Sequence, residues 1–156
     1  MAFNMVLFEP EIPQNAGNIV RTCAATGSNL YMIKPLGFSV SDKYLKRAGL
    51  DYWNLVNIYY YNSLDELIDE KESQRFFFVT TKATQYYSDI AYEQGDFFVF
   101  GKETKGLPDD IHRKYESQRI KIPMVPNERA RSLNLANAAN IVLYEALRQN
   151  EFAGLT

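Results

Sequence analysis

Phe97-Phe98-Val99-Phe100-Gly101-Lys102-Glu103-Thr104-Lys105-Gly106-Leu107-Pro108 decides the fold class of this chain. Its first four residues are apolar without alternation, and Gly101 stops them. A short run of that kind reads as a strand covered on both faces, as in a parallel sheet flanked by helices. Phe76 to Thr80 is a second such run. Working outward, Phe3 to Phe8, Leu30 to Ile33, Leu55 to Tyr60 and Arg119 to Ile122 read as further strands. Helical patterns fall between them. Asn15 to Thr26 sets Ala16, Ile19, Val20, Cys23 and Ala24 on one arc, with Gly27 as its C′ stop. Ser41 can cap a short helix through Arg47, stopped by Gly49. Ser63 and Glu66 make a capping box that opens a helix to about Lys71. Pro108 starts another, and Leu133 to Gln149 forms the last. Alternating strands and helices predict one α/β domain over residues 1–156, a mostly parallel sheet with helices on both faces.

Composition narrows the chemistry. The 156 residues are 46% hydrophobic and 23% charged, enough for a real core. A net charge of −2 argues against a non-specific nucleic-acid binder but leaves room for a local basic patch. The single cysteine, Cys23, excludes an internal disulfide and suits a reducing, cytoplasmic setting. No signal-peptide pattern and no apolar stretch of membrane-spanning length is found, so no membrane partner is expected. The lone histidine, His112, has no serine or cysteine in a nucleophile setting and reads as an ordinary surface residue. With one His and one Cys, no protein-built metal site is expected.

Several constellations could carry chemistry. Asn15, Asn18 and Arg21 recur at i, i+3, i+6 opposite the apolar arc. Two amides and a guanidinium near a helix start suit a phosphate or ribose, or form a solvated face with an Asn cap. The Gly101 turn is not a phosphate loop, because Leu107-Pro108 follows Gly106 where Lys-Ser/Thr would be needed. A turn at a strand's carboxyl end is nevertheless where α/β sheets bind ligands, and Glu103 within it is either an orienting carboxylate or an exposed one. Ser132 reads as the N-cap of the last helix. Lys43, Lys46 and Arg47 share a face of a short helix before Asp51-Tyr52-Trp53, fitting either single-stranded RNA or a solvated face. On the last helix Leu135, Ala139, Val142, Leu143, Ala146 and Leu147 make the core arc. Ile141 and Tyr144 lie among the asparagines of the opposite side, as a contact with a second chain or as isolated exposed residues.

Three segments in order resemble the motifs of the SPOUT methyltransferases. They are Asn15-x-x-Asn18-x-x-Arg21, Phe100-Gly101-x-Glu103-x-x-Gly106-Leu107-Pro108, and Ile122-Pro123-Met124 with Ser132-Leu133-Asn134-Leu135. The stretch Lys46-Arg47-Ala48-Gly49-Leu50-Asp51-Tyr52-Trp53 is similar to the subfamily that methylates the tRNA wobble ribose. The resemblance implies a deep carboxyl-terminal trefoil knot, which local pattern would never suggest because knots are so rare. It implies S-adenosylmethionine (SAM) bound in bent form among Val79, Thr80, Gly101, Ile122, Ser132 and Leu133, with S-adenosylhomocysteine as product. It implies 2′-O-methylation of nucleotide 34 of tRNA (cytidine or the modified uridine cmnm5U), with Arg21, Asn15, Glu103 and Asn134 as catalytic residues. Lys43, Lys46 and Arg47 would contact the anticodon stem-loop. It further implies an obligate homodimer with its active sites at the interface, where Ile141 and Tyr144 would lie. The alternatives are 2′-O-methylation of rRNA and a non-catalytic SAM- and RNA-binding module. Lys102 stands where a small residue or proline is more familiar in the family, and the loop Val125 to Arg131 is unusually charged.

Overall fold

A computed structural model describes residues 2–39, 41, 43–48 and 50–156, apart from the side chains of 44, 46, 48 and 50. Six strands form one sheet: β1 (Asn4–Phe8), β2 (Asn29–Ile33), β3 (Ile58–Tyr61), β4 (Phe76–Val79), β5 (Phe97–Phe100) and β6 (Arg119–Ile120). Five helices accompany them: α1 (Pro13–Thr26), α2 (Lys43–Ala48), α3 (Leu64–Glu70), α4 (Asp109–Lys114) and α5 (Leu135–Gln149). The strand order is β3-β2-β1-β5-β4-β6, and every pairing is parallel. The two runs that pointed to a parallel sheet, β4 and β5, are both interior strands.

Side-chain alternation along the strands separates two apolar layers. Met5, Leu7, Leu30, Met32, Phe77 and Phe98 face α1, α2 and α5. Val6, Phe8, Tyr31, Ile33, Phe76 and Phe97 face α3 and α4. Helices therefore cover both faces, and the strands cannot be half polar. The register sets Phe76 opposite Phe97, whose rings stack at 4.5 Å. Ring contact at that distance adds to the burial of both side chains.

Local chemistry sets the helix ends. Pro13 opens α1 with its fixed φ and its missing N–H, and Gly27 closes it at φ 69°, where the cap N–H reaches the Cys23 carbonyl. Ser63 caps α3 by accepting from the Glu66 N–H at 3.1 Å. Three readings need correction. Leu55 is 71% exposed and ends a 3-10 turn over Leu50–Leu55, so the strand there starts at Ile58. The last helix begins at Leu135, capped by Asn134 rather than Ser132; Leu135 is partly buried against the core as expected, and Ala136 joins it fully buried. His112 is 9% exposed, tucked beneath β6 with Nδ1 3.4 Å from an Arg119 terminal nitrogen. Burial, with Lys82 and Arg119 nearby, lowers its pKa. The stop assigned to Gly49 lies outside the described residues. No helix among the described residues is long and apolar enough to cross a membrane.

Candidate active site

Strand order fixes where a ligand can sit. The chain runs outward from β1 to β3 on one side, and β5, β4 and β6 lie on the other, so β1 and β5 flank the switch point. Loops leaving the two strands there must diverge, which opens a crevice at their carboxyl ends. A cavity of about 400 Å³ occupies that place. Val79 and Thr80 after β4, Gly101 after β5, Ile122 after β6, and Ser132 and Leu133 before α5 all line it. These are the six positions expected to hold the cofactor.

Gly101 holds one part of this lining through a close approach of main chain to main chain. A Cβ built there would stand 2.3 Å from the Gly106 carbonyl carbon and 2.5 Å from the Leu107 nitrogen. Backbone cannot yield by that much, so no larger residue fits while the loop folds back on itself. The fold-back is fastened by the Gly106 N–H donating to the Lys102 carbonyl at 2.8 Å, with Gly106 at φ 66°.

Three remote segments meet through two amides and one carboxylate. Glu103 Oε1 accepts from the Glu11 N–H at 3.0 Å, and Oε2 accepts from the Ile12 N–H at 2.9 Å. Asn15 Nδ2 donates to the same Oε2 at 3.1 Å. Asn15 Oδ1 accepts from Asn134 Nδ2 at 2.9 Å, and Asn134 Oδ1 accepts from the Ala136 and Asn137 N–H groups. Ile12, the N-cap of α1, offers no side-chain acceptor, and the Glu103 carboxylate supplies negative charge at that helix end instead. Asn15 is therefore 5% exposed rather than on a wet face. The contacts run both ways, since Glu11 Oε1 accepts from the Thr104 N–H and hydroxyl at 3.0 and 2.8 Å. Those bonds hold the Glu11 pKa below its ordinary value. Lys102 pairs with Glu9 at 3.1 Å, which gives this unfamiliar lysine a local partner.

Arg21 is placed differently. It lies two turns along α1, exposed, on a separate cleft of about 370 Å³ between α1 and α5 with Asn18, Thr22, Asn137, Asn140 and Tyr144. Within one chain the structure brings Asn15, Glu103 and Asn134 to the cavity and leaves Arg21 beside it. Ile141 and Tyr144 are 36% and 44% exposed on α5. Lys43 and Arg47 are exposed on α2, and the Lys46 side chain lies outside the described residues. Met124, within the third motif, and Arg131, at the end of the charged loop, also line the cavity, although the sequence assigned neither a role there. Cys23 is no nucleophile, because burial pushes its thiol up to about 12. Among the described residues no three His, Cys, Asp or Glu side chains group as metal ligands.

A cavity at the carboxyl ends of parallel strands, closed by three remote segments, defines a class, and residues 2–144 match the SpoU rRNA Methylase family, to which the chain belongs. Among its relatives is the tRNA (cytidine(34)-2′-O)-methyltransferase of Methylovorus glucosotrophus, 49% identical over 97% of this chain and 98% of the relative. A solved structure concerned with 2-OH methylation of C/U34 on tRNA superposes with a TM-score of 0.90, at 39% identity over 97% of each chain. The AviRb methyltransferase of Streptomyces viridochromogenes, in complex with AdoMet, superposes at 0.85 with 25% identity, over 97% of this chain and 62% of that one.

Proposed function

We propose that this protein transfers the methyl group of SAM to the 2′-hydroxyl of the wobble-position ribose in tRNA, releasing S-adenosylhomocysteine. The Methylovorus relative is named for 2′-O-methylation of cytidine 34 in tRNA, a superposed structure concerns 2-OH methylation of C/U34, and both align over nearly the whole chain. The observation that carries the reading is the Glu103–Asn15–Asn134 bridge, which closes three motif segments on one cavity. Its lining mixes apolar side chains such as Val79, Ile122 and Leu133 with polar ones such as Thr80, Ser132 and Asn134, which suits a nucleoside and an amino-acid tail. The cavity volume lies in the range of cofactor sites. Val79, Thr80, Gly101, Ile122, Ser132 and Leu133 hold SAM there. Bound SAM supplies a methyl already activated by its sulfonium, so no metal is required.

The remaining task is the nucleophile, a very weak acid that must be held in line with the methyl. Holding reactants in place can lower a barrier by about 7–11 kcal/mol in favourable cases. Glu103, Asn15 and Asn134 keep the three loops in register, and Arg21 contacts the ribose or its phosphate and favours developing negative charge on the 2′-oxygen. A guanidinium is a poor proton acceptor, so the hydroxyl proton passes to water or a phosphate oxygen. Arg21 borders the α1–α5 cleft rather than the cavity of its own chain, which supports a homodimer with shared active sites, Ile141 and Tyr144 forming part of the interface. The chain forms one domain with a carboxyl-terminal trefoil knot, works in the cytoplasm, and docks the anticodon stem-loop on Lys43, Lys46 and Arg47.

The family's description favours a second reading, 2′-O-methylation of rRNA. Incubation with methyl-labelled SAM and separated tRNA and rRNA distinguishes the two. Label is expected in tRNA only, and Arg21→Ala is expected to abolish transfer while SAM affinity stays near that of the unaltered protein. Label in rRNA, or in neither, overturns the reading. Equal loss of transfer and SAM binding in Arg21→Ala assigns Arg21 to structure.

A further inference from the structure

The guanidinium carbon of Arg21 sits 5.0 Å from the centre of the Tyr52 ring. Tyr52 is half-buried in the 3-10 turn Leu50–Leu55, which packs along α1 and against the core. The ion pairs among the described residues do not include Arg21. An arginine on a helix surface has several rotatable bonds to order before it can meet a substrate. A neighbouring carboxylate would order it but would also engage its N–H donors and cancel its charge. An aromatic face orders the cation through the ring quadrupole and leaves the N–H edge open to an oxyanion.

We propose that Tyr52 is a positioning residue for the methyl transfer, its ring holding the Arg21 guanidinium flat with the N–H edge free for a ribose or phosphate oxygen. The inference rests on the role of Arg21 set out under Proposed function. It predicts that the ring face matters and the phenol hydroxyl does not. The isolated ring of phenylalanine can serve as well, whereas leucine retains apolar bulk without a π-face.

Tyr52→Phe and Tyr52→Leu test it. With Tyr52→Leu the kcat for tRNA methylation is expected to fall roughly two- to thirtyfold, the range a cation–π contact corresponds to. KM for tRNA is expected to change less, and SAM affinity and melting temperature are expected to hold. Tyr52→Phe should turn over near the unaltered rate. Unchanged kcat in Tyr52→Leu, or an equal loss in Tyr52→Phe, overturns the proposal. The Arg21 Nε–Hε NMR signal separates the contact from the reading beneath it. Ring-current displacement should be present in the unaltered protein and in Tyr52→Phe, and absent in Tyr52→Leu. No displacement overturns the contact itself. Displacement together with full turnover in Arg21→Ala overturns the role of Arg21, and that of Tyr52 falls with it.

Discussion

Glu11, Glu103 and Thr104 form a two-way clasp between the loops that leave β1 and β5. Glu103 accepts from the main chain at Glu11 and Ile12, while Glu11 accepts from Thr104. The Thr104 hydroxyl and N–H lower the Glu11 pKa in the folded chain. A carboxylate whose folded pKa is depressed stabilises the fold above its unfolded pKa, here ordinarily about 4.5, and loses that contribution as pH falls through the lower folded value. Glu11→Gln is accordingly expected to melt at a lower temperature than the unaltered chain near pH 7, with the gap closing as pH falls below the ordinary carboxylate range. Thermal melts across pH check this, and a gap independent of pH contradicts it. Sequence reading found Glu103 and Asn15 but could not see how they are used. Asn15 looked like a solvated face because its partners come from positions 88 and 119 residues away, and spacing on one helix carries no trace of them.

At the scale of elements the decisive case is the start of α5. Ser132 and Asn134 are both good capping residues, and local sequence does not choose between them. Asn134 caps because its carboxamide serves two ends at once, accepting from the Ala136 and Asn137 N–H groups and donating to Asn15. Asn134→Ala should cost about 1 kcal/mol or more in denaturant unfolding. Ser132→Ala should stay within about 0.5 kcal/mol, as surface changes away from caps do. The reverse order would restore Ser132 as the cap. Strands and helices were otherwise legible because burial writes a period on the chain. Unbroken apolar runs marked β4 and β5, and the 3.6-residue arc marked α1. The strand begun too early at Leu55 failed for the same reason, since apolar residues there serve a 3-10 turn beside α1 rather than the sheet.

For the whole molecule, a reversal in strand order sets the position of the site and two clamped loops set its shape. Alternation predicted the sheet class, but strand order and loop closure depend on contacts that no local pattern carries. The motif resemblance pointed instead to a methyltransferase family, and the matched family and the superposed structures agree with that placement.

The most direct measurement is ribose-methylation mapping, at single-nucleotide resolution, of tRNA from cells that lack this gene and from the same cells supplied with it. The 2′-O-methyl group at nucleotide 34 should be absent in the first, restored by the unaltered gene, and not restored by the Arg21→Ala form. A nucleotide-34 ribose that stays methylated without the gene, or a methyl group that disappears from another position instead, contradicts the account.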